Sequence, residues 1–199
     1  MGSLDSQIEI KLGIPEELRH QAAAICYEGF RSQIEFLLGS QQKGVTILEQ
    51  SLNLELGLTA QIQGQIVGFV GLKYENRPFF QFEQSRCIQE LGILRGLLAF
   101  LILNNSSPVK LLPNEMYIAV LVVDDSMRGK GIGTLLMQAA FEVAQQDKIH
   151  VVVLDVTDSN TSALRLYERL GFKSVRNGFL RRLISTSPNR TMRKELISS

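Results

Sequence analysis

The sequence predicts an α/β fold built on one sheet, and three observations carry that reading. Residues 116–123 and 149–156 are continuous apolar runs of strand length, the second rich in valine, as buried strands are. The segments that follow them, 131–146 and 159–170, have helical periodicity. The resulting order of strand, helix, strand, helix and closing strand is that of an α/β core.

Taken in order, residues 8–11 alternate apolar and polar side chains and read as a short first strand. Pro15 opens a helix through Phe30: proline is permitted in the first turn, and Glu16 and Glu17 suit its positive end. A second short helix is expected at 33–39. Residues 56–63 and 66–74 are β-prone runs on either side of Gly64-Gln65, an antiparallel hairpin with Gly64 supplying the turn. Within 75–113, Ile88, Leu91, Ile93, Leu94, Leu97, Leu98, Leu101 and Ile102 place apolar groups nearly all round a helix. Helices of that kind are buried on several sides. The segment reads as a core helix, as a dimer helix, or as a pocket wall.

After the strand at 116–123, bounded by Asp124-Asp125-Ser126, the 131–146 helix puts Ile132, Leu135, Leu136, Ala139, Ala140 and Val143 on one face. The 159–170 helix takes Asp158 or Ser159 as N-cap, sets Leu164, Tyr167 and Leu170 on one side, and ends at Gly171. Residues 173–175 and 192–196 are closing strands.

Composition narrows the classes. The 199 residues suit one domain, or one domain with a sizeable insertion, and 45% hydrophobic content is enough to bury a core. A net charge of +1 calls for neither nucleic acid nor an anionic membrane. Basic residues do gather late in the chain: Arg165, Arg169, Lys173, Arg176, Arg181, Arg182, Arg190, Arg193 and Lys194 face only Glu168 and Glu195. They are either a solvated edge or a surface for a phosphorylated ligand or acidic acceptor. Few aromatics interleave them, which disfavours nucleic acid. Cys26 and Cys87 lie far apart in apolar contexts, as reduced buried thiols rather than a disulfide or metal site. No secretory signal opens the chain. Met1-Gly2-Ser3-Leu4-Asp5-Ser6 fits the loose myristoylation pattern, which chance produces often. Residues 91–103 are too few to span a bilayer and include Arg95. The expectation is a soluble, cytoplasmic protein.

The informative segment is Arg128-Gly129-Lys130-Gly131-Ile132-Gly133-Thr134, which joins a buried strand to a helix N-terminus. A helix start leaves backbone N–H groups without partners, and the peptide dipoles add positive potential. Glycines let an anion approach, so the segment suits a pyrophosphate. Arg128 and Lys130 either add charge or stay in solvent. A Walker loop is excluded, because here the lysine precedes the last two glycines. A dinucleotide loop needs G-x-G-x-x-G, whereas this reads G-x-G-x-G with no acidic ribose ligand at the required distance.

The segment resembles the signature of the GNAT superfamily of N-acetyltransferases: an arginine or glutamine, two residues, then G-x-G or G-x-A. Leu121-x-Val123 matches the family's apolar pair on the preceding strand, with Asp125 where a proline is usual. Asn160-x-x-Ala163-x-x-x-Tyr167-x-x-x-Gly171-Phe172 matches its second motif. The clear resemblance covers roughly 115–175.

The resemblance implies an acyl-CoA N-acyltransferase fold: a single mixed, largely antiparallel central sheet of about six to seven strands, flanked by helices on both faces. One N-acetyltransferase domain would span 1–199, with a helical insertion at 75–113 and an acetyl-CoA-binding core at 115–175. It implies acetyl-CoA as acyl donor, no metal, and an amine acceptor, small or protein-borne. The strand before the glycine loop would splay from its neighbour. Backbone groups of Leu121, Val122 and Val123 would bind pantetheine, and those of Gly129, Lys130, Gly131, Ile132, Gly133 and Thr134 the pyrophosphate, with Arg128 beside them. Asn160 would bond the pantetheine arm, or else merely support its own helix. Tyr167 matches the general acid, with core packing as its alternative. Asp155 sits where some members place a catalytic glutamate, or else caps a turn; Glu115 is the other candidate base, and an ordered water chain would also serve. His20 and His150 are isolated, so direct transfer in a ternary complex is expected. A non-catalytic acyl-CoA-binding sensor of the same fold is the alternative, and a homodimer through 88–102 is compatible with either.

Overall fold

The protein, as a computed structural model, is described over residues 8–105, 111–175 and 189–196. Residues 1–6, with the myristoylation-like pattern, and Arg176, Arg181 and Arg182 lie outside them. The strands are β1 (Glu9–Leu12), β2 (Gly57–Ile62), β3 (Gln65–Lys73), β4 (Glu115–Val123), β5 (Val151–Thr157), β6 (Lys173–Val175) and β7 (Asn189–Glu195). The helices are α1 (Arg19–Leu38), α2 (Gln41–Ser51), α3 (Gln84–Leu91), α4 (Ile93–Asn105), α5 (Ile132–Gln146) and α6 (Thr161–Arg169).

All seven strands join one sheet in the order β1-β2-β3-β4-β5-β7-β6. Only β4 and β5 pair in parallel; the other five pairings are antiparallel. The hairpin forms where Gln63 and Gly64 both take positive φ, the turn that matches strand twist. Side-chain alternation then divides the core. Met116, Ile118, Val152, Leu154 and Met192 pack against α5 and α6, while Phe69, Val120 and Val122 pack against α1 and α2. That β4 serves both faces reflects a bulge: Gly71 pairs with Val120 but Leu72 with Ile118, so Ala119 is the extra residue. One inserted residue flips the faces of everything after it.

Several expectations need correction. The two helices predicted across 15–39 are a short 3-10 turn at Glu16–Leu18 running into one helix, α1, of 20 residues. Breaking it near Arg31 was unnecessary, since nothing there stops a helix. The glutamine-rich start of α2 hid a helix whose buried side is Val45, Ile47 and Leu48. The insertion is two helices, because Gly92 at φ 80 separates α3 from α4. Nor is its apolar run buried all round: Gly96 and Ala99 face inward, whereas Ile93, Leu94, Leu97, Leu98, Leu101 and Ile102 are exposed. Small residues let α4 lie close to α3 and turn its large ones outward. Arg95 fastens it to α1, donating to the carbonyls of Leu37 at 3.0 Å and Phe36 at 2.7 Å. Such cation-to-carbonyl bonds satisfy a helix C-terminus that would otherwise lack donors. Among the described residues no helix is long and apolar enough to cross a membrane.

Candidate active site

The site begins where two strands part. β4 stays hydrogen-bonded to β3 as far as Gly68↔Val123, but its parallel pairing with β5 runs only from Glu115↔Val151 to Ile118↔Leu154. Past that point 119–123 and 155–157 diverge, and a cavity of about 690 Å³ opens between them. The size lies within the ~300–1,000 Å³ common for small-molecule sites. Leu121, Val122 and Val123 form one wall, with Asp155, Val156 and Thr157 opposite.

The floor is the glycine loop. Asp124 caps a 3-10 turn at Asp125–Met127, its Oδ1 accepting from the Ser126 N–H at 3.0 Å. Gly129 and Gly131 follow at φ 77 and 83, left-handed values that a side chain resists, and a Cβ on either would meet nothing within 4 Å. Open space therefore borders this backbone, where a packed loop would have neighbours. Gly131 is the N-cap of α5, and Leu135 is the first residue whose N–H makes the helical i→i−4 bond, to the Gly131 carbonyl at 3.1 Å. First-turn N–H groups and the dipole of a 15-residue helix thus converge on the cavity. Gly129, Gly131, Ile132, Gly133 and Thr134 all line it.

The two cations of this loop differ. Arg128 lines the cavity, with Nε donating to the Val123 carbonyl at 3.3 Å and Nη2 paired with Asp125. Lys130 is exposed, its Nζ 3.2 Å from the Met127 sulfur, and is not among the lining residues.

The far wall is α6. Its N-cap is Asn160, not Asp158 or Ser159: the Asn160 Oδ1 accepts from the Ala163 N–H at 3.1 Å. Asn160 faces the cavity as well, so one side chain caps its helix and borders the cleft. Tyr167 is 7% exposed, its ring edge-on to Phe172 at 5.7 Å between centroids. Burial pushes its phenol up to about 12. Its hydroxyl makes no hydrogen bond among the described residues, and Tyr167 lines the cavity.

The candidate bases separate cleanly. Asp155 lines the cavity where the strands diverge; its Oδ2 accepts from the Tyr117 hydroxyl at 3.2 Å and its Oδ1 from the Thr191 hydroxyl at 2.6 Å. It is thus in a polar setting rather than an apolar one. Glu115 lies at the opposite end of β4, 2% exposed, bonded to Arg193 and accepting from the Leu112 N–H at 3.1 Å. It does not line the cavity. His20 pairs with Glu49 on the surface, and neither histidine borders the cleft. Cys26 and Cys87 are buried free thiols away from it.

Sequence reasoning missed the wall that α1 supplies, Gly29, Phe30 and Gln33. A Cβ on Gly29 would lie 2.4 Å from Val122 Cγ2, so glycine lets α1 cross β4 closely enough to bring Phe30 and Gln33 to the cleft. Ser162, Ala163, Leu166 and Arg169 were missed too. Their one-face spacing along α6 was available as a signal.

Comparison with known proteins follows the same geometry. The family model for the GNAT acetyltransferase family matches residues 26–172. N-alpha-acetyltransferase 30 of Xenopus laevis is 48% identical over 56 residues, which are 28% of this chain and 20% of that protein. The match thus spans about a fifth of that relative. An N-acetyltransferase from Staphylococcus aureus Mu50 superposes with a TM-score of 0.65 at 17% identity, over 94% of this chain and 100% of that one. PaiA N-acetyltransferase from Thermoplasma acidophilum, solved in complex with coenzyme A, gives 0.56 at 16% identity, over 95% and 99%.

Proposed function

The chain belongs to the GNAT acetyltransferase family, and on that premise we propose that it transfers acetyl from acetyl-CoA to a primary amine by direct attack in a ternary complex. The parting of β4 from β5 after Ile118 and Leu154 carries this reading, because it frees one edge of a buried strand beside a helix N-terminus. The residues present fit the donor. Backbone groups of Leu121, Val122 and Val123 offer a strand edge to the pantetheine amides. N–H groups from Gly129 through Thr134 suit the pyrophosphate, with open space where Cβ atoms on Gly129 and Gly131 would stand. The Asn160 amide nitrogen is left to donate while its oxygen caps α6.

When bound, the donor supplies an activated acetyl thioester. The remaining chemistry belongs to the chain. Asp155 takes a proton from the acceptor ammonium, so that the nitrogen lone pair can form the C–N bond. The Val123 N–H is placed to stabilise negative charge on the carbonyl oxygen. As the C–S bond breaks, Tyr167 gives its proton to the sulfur, and the second proton that the nitrogen sheds in becoming an amide restores the phenol. Phe30 and Gln33 line the cleft and would face the acceptor. We treat 1–199 as a single N-acetyltransferase domain with 75–113 as an insertion and 115–175 as the donor-binding core. A cytoplasmic location is favoured by the two buried thiols, and a homodimer would form on the outer face of α4.

Thiol release from acetyl-CoA, measured with a panel of amines, tests the proposal. Turnover is expected with at least one amine, and Tyr167→Phe should lower kcat by roughly 100-fold, the low end for loss of a general acid. Tight donor binding without turnover on any amine, unchanged by that substitution, would instead make the protein an acyl-CoA sensor.

A further inference from the structure

Asp155 is held by two hydroxyls from two other strands, and the sheet register explains why. Antiparallel pairing sets Thr191 directly opposite Asp155, and such cross-strand pairs share a face with Cβ atoms roughly 5 Å apart. Parallel pairing sets Tyr117 opposite Val153, one step back along β5 on that face, and the length of its ring brings the hydroxyl forward. Each carboxylate oxygen thus receives a hydroxyl, Thr191 donating to Oδ1 at 2.6 Å and Tyr117 to Oδ2 at 3.2 Å. Thr191 is 6% and Tyr117 7% exposed, and neither lines the cavity that Asp155 does.

We infer that Thr191 and Tyr117 are positioning residues that fix the rotamer of Asp155, aiming its carboxylate at the acceptor ammonium. The inference rests on the reading of Asp155 as base. Hydroxyl donors orient a carboxylate without cancelling its charge, as an arginine would. Free rotation about χ1 and χ2 would otherwise swing the oxygens by ångströms, and misplacement of about 1 Å can cost on the order of 100-fold in rate.

The test is a double-mutant cycle on the full chain. Thr191→Val, which keeps the β-branched shape suited to a strand, is expected to lower kcat about tenfold with the KM for acetyl-CoA unchanged. Thr191→Ser, which restores the donor, should recover most of the rate. In an Asp155→Asn background Thr191→Val should cost nothing further, because its partner's role is already gone. Equal losses in both backgrounds, or no loss in either, overturn the inference. If Thr191→Val fails to fold, Tyr117→Phe is put through the same cycle with the same expectations. Wild-type rate for Asp155→Asn alone would instead overturn the base assignment, an outcome readable apart from the other two.

Discussion

Tyr167 combines two properties, a ring packed in the core and, at a cavity wall, a hydroxyl without a hydrogen-bond partner among the described residues. Burial favours the neutral phenol, raising its pKa to about 12, so the proton remains in place across the physiological range. The sign matters: a raised pKa keeps an acid protonated, and activity is lost only when pH climbs toward that value. The maximal rate should therefore stay level from about pH 7 to 10, since even an unperturbed phenol titrates near the top of that window. A fall centred near neutrality would assign the acid to another group. Glu115 invites the opposite expectation. Its carboxylate is buried against Arg193 and a backbone N–H, far from the cleft. Glu115→Gln should leave kcat within about twofold while lowering stability by about 1–3 kcal/mol, as removal of a buried charge partner does. Urea unfolding beside a rate assay reads both at once.

At the scale of elements, α4 departs furthest from the pattern of a buried helix. Its leucines at 94 and 98 are 87% and 53% exposed in the single chain, so replacing both with glutamate should change the monomer's unfolding free energy by less than about 0.5 kcal/mol per site while abolishing a dimer built on that face. Ala99→Glu, at a position with no exposure, should cost several kcal/mol by burying an unpaired charge. Denaturant titration separates the two outcomes. The same helix shows where pattern reading fails. Hydrophobicity reports what a face would prefer to touch, whereas burial depends on which residues let a neighbour come close, here Gly96 and Ala99. By contrast β4 and β5 were legible as unbroken apolar runs, and α5 and α6 as segments with one strong period and a clear stop; Gly171 does end α6 at φ 86. The glycine loop was legible for a different reason: few chemistries need three glycines and two cations at a helix start. Helix α2 was not, since polar residues open it. The Phe30 and Gln33 wall was hidden because the close crossing of α1 over β4 depends on a glycine whose role only a tertiary contact reveals. The hydroxyls of Tyr117 and Thr191 were hidden likewise, being 38 and 36 residues from the carboxylate they hold.

For the whole molecule, one topological fact organises the rest. A single parallel pair sits in the middle of an otherwise antiparallel sheet, and it is this pair that separates halfway. α5 connects its two strands, placing a helix N-terminus at the mouth of the gap. The glycine loop and Asp155 thus meet because β4 and β5 are neighbours joined by that helix, while α1 and α6 close the sides. The most direct measurement is a crystal structure of the protein grown with coenzyme A. The pantetheine arm should run between 119–123 and 155–157, with the pyrophosphate on the backbone of 129–134 and the sulfur near the Tyr167 hydroxyl. Coenzyme A bound on another surface, or a gap closed by side chains from both strands, would contradict the account.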